Sequence, residues 1–292
     1  MICEICPRLC RAERTSERGG GVCRMPAGLV VARAMLHQWE EPCLSGTLGA
    51  GCIFFSGCNL GCVFCQNGKI SHENFGKTIT PDRLREIMDE LIAQGAHCID
   101  LVSPTQFTPW ILPALEKPLP VPVVWNCGGY ERVETLRTLE GKVQIYLPDL
   151  KYALDFPARE LSKAEDYFPV AAAAIDEMLR QVGPYKIGDD GLMKSGVIIR
   201  HLVLPGQLEN TRRVIEWVSR TFLPGEVLFS LMAQYTPCGE ADKFPNLRRG
   251  ISDEEWAQAL AWLDESDIAD GFVQERSAAG TDMIPDFDGT GV

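Results

Sequence analysis

The sequence predicts an α/β fold that contains a parallel sheet built from βαβ units. From about residue 49 to residue 292, short apolar runs alternate with helical patterns, which is typical of such a sheet. The runs are apolar on both faces, as strands covered by other layers require. A length of 292 residues allows one large barrel-type domain with a small appendage. The candidate strands are Gly51–Ser56, Cys98–Ser103, Val121–Asn126, Val143–Leu147, Val197–Leu204 and Val227–Met232.

Four helices of this domain are predicted from their first residues, because a side-chain oxygen at the N-cap satisfies a free backbone N–H group. The expected caps are Thr80 (followed by Pro81), Ser162 (in Ser162-x-x-Glu165, with the helix reaching about Gln181), Asn210 and Ser252 (in Ser252-x-x-Glu255). The tail from Ala278 to Val292 is polar and Gly-rich, which predicts a surface wrap or partial disorder.

Residues 1–48 form a cysteine-rich segment before the barrel domain. Its cysteines follow the pattern C-x2-C-x3-C-x12-C, and the segment has too few apolar residues to fold without a bound metal. A zinc site, an auxiliary iron–sulfur cluster and ordinary thiols or disulfides all remain open as interpretations. The four candidate ligands are Cys3, Cys6, Cys10 and Cys23. Within the segment, Leu29–Leu36 is predicted to be a strand and Glu40 to Cys43 a turn.

The composition narrows the classes of partner. The net charge is −12 and no run is rich in Lys or Arg, so we expect no nucleic-acid partner. No long apolar stretch and no signal-peptide pattern occurs, so we expect no membrane partner and a cytoplasmic location. Twelve cysteines in such a chain favour metal binding over disulfides. We assign no role to Cys43, Cys52, Cys98, Cys127 or Cys238.

The stretch from Gly57 to Asn67 contains three cysteines at the spacing C-x3-C-x2-C, namely Cys58, Cys62 and Cys65. Thiolates are soft ligands that suit iron–sulfur clusters and zinc. A closed site needs a fourth ligand, and no cysteine follows within a short loop, so one metal position stays open to a substrate or cofactor. A zinc site with a distant fourth ligand is the alternative.

This stretch, preceded by an apolar strand, resembles the signature of radical S-adenosylmethionine (SAM) enzymes. The resemblance implies a partial (β/α)6 TIM-type barrel, a [4Fe–4S] cluster on the three cysteines, and SAM bound to the fourth iron. It also implies that the reduced cluster cleaves SAM to a 5′-deoxyadenosyl radical, which abstracts a hydrogen atom. Such a cluster is oxygen-sensitive, so we expect an anaerobic or facultative host.

Residues that follow the strands are the next candidates, because ligands bind beyond the carboxyl ends of barrel strands. Asn126 ends the third strand and can hydrogen-bond SAM or substrate. Asp149 and Lys151 follow the fourth strand on one face, where they can hold polar groups of SAM. Arg200 in the fifth strand can bind a carboxylate bidentately. Thr105 stands near the place where radical SAM enzymes carry a glutamate for the SAM amino group, and a hydroxyl can accept that hydrogen bond.

Asp149-Leu150-Lys151 and Arg200 to Gly206 also resemble the glycyl-radical-enzyme activases, typified by pyruvate formate-lyase activating enzyme, and most closely their PflX-type branch. That resemblance implies that His201 and Asn67 contact SAM. It further implies a glycyl radical enzyme as partner and substrate, and a flavodoxin or ferredoxin as electron donor. A radical SAM enzyme for a small molecule or another protein residue is the alternative, and a non-catalytic metal-binding module is the third.

Overall fold

The computed structural model describes residues 1–17, 19–274, 280 and 284–292. Within these ranges the strands are β1 (Leu29–His37), β2 (Ala50–Phe55), β3 (Lys77–Ile79), β4 (Ile99–Val102), β5 (Val123–Cys127), β6 (Ile145–Pro148), β7 (Lys186–Ile187), β8 (Met193–Leu202), β9 (Leu228–Met232) and β10 (Gly271–Val273). The α-helices are α1 (Pro42–Ser45), α2 (Gly68–Ser71), α3 (Pro81–Ala93), α4 (Thr108–Ile111), α5 (Val133–Arg137), α6 (Asp155–Ser162), α7 (Tyr167–Val182), α8 (Leu208–Thr221) and α9 (Asp253–Asp264).

The strands form one sheet in the order β3-β1-β2-β4-β5-β6-β8-β9-β10, with β7 beside β8. All neighbours from β2 to β10 along this path pair in parallel, and helices connect most of them. The predicted α/β fold with a parallel sheet is thus confirmed, and each of the six predicted strands overlaps a parallel strand. The predicted N-terminal strand is β1, which pairs antiparallel with β2 at one edge.

Alternate residues of the strands face two separate apolar clusters, as a period of two requires. In β2, Ile53 and Phe55 belong to the large cluster between the sheet and the helices. Cys52 and Phe54 belong to a smaller cluster on the opposite face. Both faces are therefore covered, which explains why the strand runs are apolar throughout.

Two of the four predicted helix caps are correct. Thr80 caps α3 by accepting a hydrogen bond from the Arg83 backbone N–H, and Ser252 forms the expected capping box with Glu255 on α9. In both cases the cap is exposed or half-buried and competes with few tertiary partners.

The other two predicted caps are wrong. Ser162 is the last residue of α6, and α7 begins later, at Tyr167. Asn210 lies inside α8, where its side chain accepts a hydrogen bond from the Ala153 N–H at 2.8 Å. Both side chains are buried and bind partners on other elements, so tertiary contacts override the local capping signal.

The described end of the tail is attached to the sheet. Gly289 and Thr290 hydrogen-bond the backbone of β1, and the buried Phe287 ring packs edge-on against Phe54 with the centroids 5.5 Å apart. Residues 278, 279 and 281–283 of the predicted tail lie outside the described residues. Among the residues that the structure describes, no helix has the length and apolarity needed to cross a membrane.

Candidate active site

A cavity of about 240 Å³ lies at the carboxyl ends of the parallel strands. This is the edge where parallel barrels bind their ligands, because the strand-to-helix loops meet there. Seven of the residues singled out from the sequence line it together: Cys62, Cys65, Asn67, Asn126, Asp149, Lys151 and Arg200.

The cluster loop, residues 57–67, leaves the end of β2 and forms one wall of this cavity. Its turns require Gly57 and Gly61, whose φ values of 73° and 69° lie in the left-handed region that favours glycine. Cys62 and Cys65 reach the cavity wall, and Cys58 lies beside them in the same loop. The loop therefore presents two thiols directly to whatever occupies the cavity.

Each of the three sulfurs accepts one hydrogen bond. The Leu60 backbone N–H donates to Cys58 Sγ at 3.4 Å. The Ser162 hydroxyl donates to Cys62 Sγ at 2.9 Å, and the Ser71 hydroxyl donates to Cys65 Sγ at 3.2 Å. Donors aimed at sulfur are what ligating thiolates need in their surroundings, since they stabilise the negative charge.

The burial of these thiols fits a metal centre. Burial, and then the neighbouring Cys62, raise the pKa of Cys65 to about 12. Burial also raises the pKa of Cys62, although the nearby Lys151 opposes this shift. Buried thiols of this kind become thiolates only when a cation compensates them, which bound iron would do. Three soft donors and an adjoining cavity thus fit a [4Fe–4S] cluster with one open iron.

A charged network covers the opposite wall. Asp149 accepts from Lys151 Nζ at 2.6 Å and from Arg200 Nε at 2.9 Å. Arg200 also donates to Asn126 Oδ1 at 2.7 Å and pairs with Glu40 at 3.3 Å. Burial alone would raise the pKa of Asp149, but Arg200 and Lys151 hold it below its usual value. Asp149 is therefore ionised, and both cations are fixed at the cavity.

Three acidic residues without a predicted role lie in or behind the cavity. Glu40 and Glu41, predicted to lie in a turn, line the cavity. Asp100 on β4 accepts from Asn126 Nδ2 at 3.1 Å, and its Oδ1 has no hydrogen-bond partner among the described residues. Burial, and then Glu40, raise the pKa of Asp100 strongly. A carboxylate inside an otherwise apolar strand was the available signal for Asp100.

Thr105 and His201 do not reach the cavity. The Thr105 hydroxyl donates to Glu131 in a buried pair. His201 Nδ1 donates to the Leu150 carbonyl at 2.7 Å, and Nε2 accepts from the Thr211 hydroxyl at 3.0 Å. Neighbouring residues of a strand face opposite sides, so Arg200 points to the cavity and His201 to α8.

The four N-terminal cysteines converge in the structure. Cys3 and Cys6 are buried, Cys23 is half-buried and Cys10 is exposed. Burial raises the pKa of Cys23, and the nearby Cys3 and Cys10 thiols add to this shift. Burial raises the pKa of Cys6 to about 12, with Cys23 and Cys3 among the further causes. The four thiols thus lie in one neighbourhood, although in the described part of the chain no three of their sulfurs lie within 4.8 Å of one another.

Comparison with known proteins gives one sequence relative over most of the chain. It is the "Uncharacterized protein MJ0674" of Methanocaldococcus jannaschii, 31% identical over 268 residues that cover 88% of this chain and 73% of that protein. No family model matches the chain.

Solved structures give looser matches. SuiB of Streptococcus suis bound to the precursor peptide SuiA has a TM-score of 0.47 and 11% identity, covering 75% of this chain and 47% of SuiB. Methylornithine synthase (PylB) has a TM-score of 0.49 and 15% identity, covering 74% of this chain and 68% of PylB. SuiB bound to S-adenosylmethionine has a TM-score of 0.47 and 10% identity. The chain thus spans about half the length of SuiB.

Proposed function

The chain belongs to the family of the uncharacterized protein MJ0674, and that name assigns no activity. We propose from the residues of the cavity that this chain is a radical SAM enzyme. The observation that carries the proposal is the placement of Cys62 and Cys65 at the cavity wall, facing the network of Lys151, Asp149 and Arg200. Two thiols that can bind iron and three charged side chains that can bind SAM thus line the same cavity.

With a [4Fe–4S] cluster and SAM bound, the site would supply an electron that cleaves SAM and yields a 5′-deoxyadenosyl radical for hydrogen abstraction. The chain's own side chains bind and orient. Cys58, Cys62 and Cys65 hold the cluster. The Lys151 ammonium, close to Cys62 and paired with Asp149, is placed to bind a carboxylate of SAM. Asn67 and Asn126 line the same cavity and supply amide groups for the remaining polar atoms.

Two residues implied by the family resemblance act differently in this proposal. His201 donates to the Leu150 carbonyl and so stabilises the strand end behind the cavity, without contacting SAM. Thr105 is bonded to Glu131 outside the cavity, so an acidic group of the cavity itself takes the SAM ammonium. Asp149 and Glu40 are the candidates, because both carboxylates line the cavity.

For the substrate, we propose a glycine of a partner glycyl radical enzyme, with a flavodoxin or ferredoxin as electron donor. The support is the resemblance of Asp149-Leu150-Lys151 and of Arg200 to Gly206 to the activases. Hydrogen abstraction from a small molecule or another protein residue is the alternative. A glycine-centred EPR signal in a candidate partner supports the activase role, whereas SAM consumed stoichiometrically with a modified product supports the alternative.

The central proposal is tested on anaerobically reconstituted protein. With dithionite and SAM, we expect 5′-deoxyadenosine and methionine from the wild type and none from Cys62→Ala. Cys127→Ala is a matched control, because Cys127 is equally buried and lies outside the cavity. A wild type that holds its full iron and sulfide but does not cleave SAM would contradict the proposal.

A further inference from the structure

Arg8 connects the N-terminal cysteines to the cluster loop. It lies between Cys6 and Cys10, and its backbone N–H donates a hydrogen bond to Cys6. Its guanidinium leaves this segment and contacts four backbone carbonyls elsewhere in the chain. The acceptors are Asn59 (2.7 Å), Leu60 (3.3 Å), Ser162 (2.8 Å) and Lys163.

These carbonyls belong to two segments, and the Arg8 guanidinium bridges them. Asn59 and Leu60 lie in the cluster loop between Cys58 and Cys62, and the other two carbonyls end α6. The last carbonyls of a helix lack partners within it and carry partial negative charge, so a guanidinium suits them. Arg8 also lies 5.2 Å from the ring centroid of Tyr130. A lysine cannot reproduce this set of planar contacts.

Ser162 links the Arg8 contacts to Cys62, one of the proposed cluster ligands. Its carbonyl accepts from Arg8, and its hydroxyl donates to Cys62 Sγ at 2.9 Å. The hydroxyl of the buried Tyr152 lies 2.7 Å from Ser162 Oγ, and the Val63 N–H donates to the Leu161 carbonyl beside it. Ser162 is fully buried, so its hydroxyl is held against the sulfur.

Two further arginines of the N-terminal segment contact residues that flank the cluster loop. Arg14 donates to the Gln106 carbonyl at 2.6 Å, and the Gln106 amide donates to the carbonyls of Ser56 and Gly57, directly before Cys58. Arg24, which follows Cys23, donates to the carbonyl of His72, directly after α2. The segment therefore contacts the middle of the cluster loop directly through Arg8, and its beginning through Gln106.

We propose that the N-terminal cysteine segment is a positioning device for the catalytic cluster. Metal bound by Cys3, Cys6, Cys10 and Cys23 fixes Arg8, Arg8 fixes the end of α6, and Ser162 then donates to Cys62. Hydrogen bonds to a cluster sulfur stabilise the extra negative charge of the reduced state and raise the reduction potential. The inference rests on the proposed function, since it assigns Arg8 and Ser162 to that cluster as positioning residues.

The test is a reductive titration of reconstituted protein, followed by EPR. The signal measured is that of the reduced cluster whose spectrum changes when SAM is added. We expect Ser162→Ala and Arg8→Lys to bind iron as the wild type does. At a fixed solution potential, each should lower the ratio of reduced to oxidised cluster several-fold. Arg11→Lys is the control, because Arg11 is exposed and pairs only with Glu4 among the described residues. Ser162→Thr keeps the hydroxyl and should restore the wild-type ratio.

A second comparison links the effect to the N-terminal site. Replacing Cys3, Cys6, Cys10 and Cys23 by serine should lower the ratio of reduced to oxidised cluster by the same factor. Adding Arg8→Lys to that variant should not lower the ratio further. Unchanged ratios in both Ser162→Ala and Arg8→Lys, with full iron, would overturn the inference and leave the proposed function intact. A wild type that assembles no cluster would overturn the proposed function first.

Discussion

At the scale of single residues, Lys151 is the cavity group whose loss should weaken SAM binding most directly. Its ammonium lies 2.6 Å from Asp149 and close to Cys62, so it is placed to pair with a carboxylate in the cavity. Charged hydrogen bonds contribute about 1.5–3 kcal/mol. We therefore expect Lys151→Met to weaken SAM binding about tenfold or more, measured by equilibrium dialysis with the oxidised cluster. Lys194→Met is the control, because Lys194 forms an exposed pair with Asp190. Equal SAM affinity in Lys151→Met and wild type would exclude this role.

His201 gives a residue-scale prediction about pH. Burial lowers its pKa to about 4, so the folded chain keeps it neutral while the unfolded chain protonates it near pH 6.5. Its contribution to stability is present above pH 6.5 and is lost as the pH falls towards 4. The wild-type free energy of unfolding should fall over this window by up to about 1.4 kcal/mol per pH unit from this group.

His201→Gln should lose that part of the slope, as measured by urea unfolding at several pH values. Near neutral pH it should be less stable by about 2 kcal/mol, because the bonds to Leu150 and Thr211 are disturbed. The folded variant should keep SAM affinity within about threefold, since the imidazole does not line the cavity. A large loss of SAM affinity with unchanged stability would instead support the SAM contact implied by the family resemblance.

How far the sequence specifies the site depends on whether a residue's partner is near in sequence. Asp149 and Lys151 could be paired because alternation along an extended segment puts them on one face. The same alternation separates Arg200 from His201, and it argues against the SAM contact of His201 that the family resemblance implies. Ser162 and Arg8 could not have been linked to the cluster loop, because they lie about a hundred and about fifty residues from it and their contacts depend on tertiary packing. Glu40 carried no local signal of its place in the cavity.

At the scale of elements, α8 holds the segment that carries the charged pair. Asn210 accepts from the Ala153 N–H at 2.8 Å and donates to the Lys151 carbonyl at 2.9 Å. Asn210→Ala removes the partner of two half-buried backbone groups, so we expect a loss of about 1–3 kcal/mol in the free energy of unfolding. Asn210→Asp keeps the acceptor and loses the donor, so its free energy of unfolding should lie between those of the wild type and Asn210→Ala. Equal stabilities in urea unfolding would show that Asn210 does not hold this segment.

The same scale explains which elements could be predicted. The six predicted parallel strands are largely buried, and their continuous apolar runs stand out in the sequence. β3 and β10 are three residues long and largely exposed, and they give no such run. Their positions depend on pairing with β1 and β9, which is a tertiary effect. Ser162 and Asn210 show the same limit for helices, since a polar residue near a helix end has the same local pattern whether it caps or binds elsewhere.

At the scale of the whole molecule, the described end of the tail packs against β1 and β2. Phe287 is almost fully buried against Phe54, whose own side chain lines the cavity, and Ile284 and Pro285 line the cavity directly. The tail therefore contributes to the core and to the site at once. Lys77 Nζ donates to the Gly289 carbonyl at 2.7 Å and fixes the end of the chain beside β3.

Phe287→Ala should accordingly lower the free energy of unfolding by about 3 kcal/mol, because large-to-small changes in a packed core leave a cavity. It should also weaken SAM binding, since the removed ring supports Phe54 at the cavity wall. Val273→Ala is the control, because Val273 lies half-exposed on β10 at the other edge of the sheet. Urea unfolding and equilibrium dialysis measure the two effects. If Phe287→Ala changed neither quantity while limited proteolysis removed the tail, the tail would be a surface wrap without a part in the core, as its polar composition predicts.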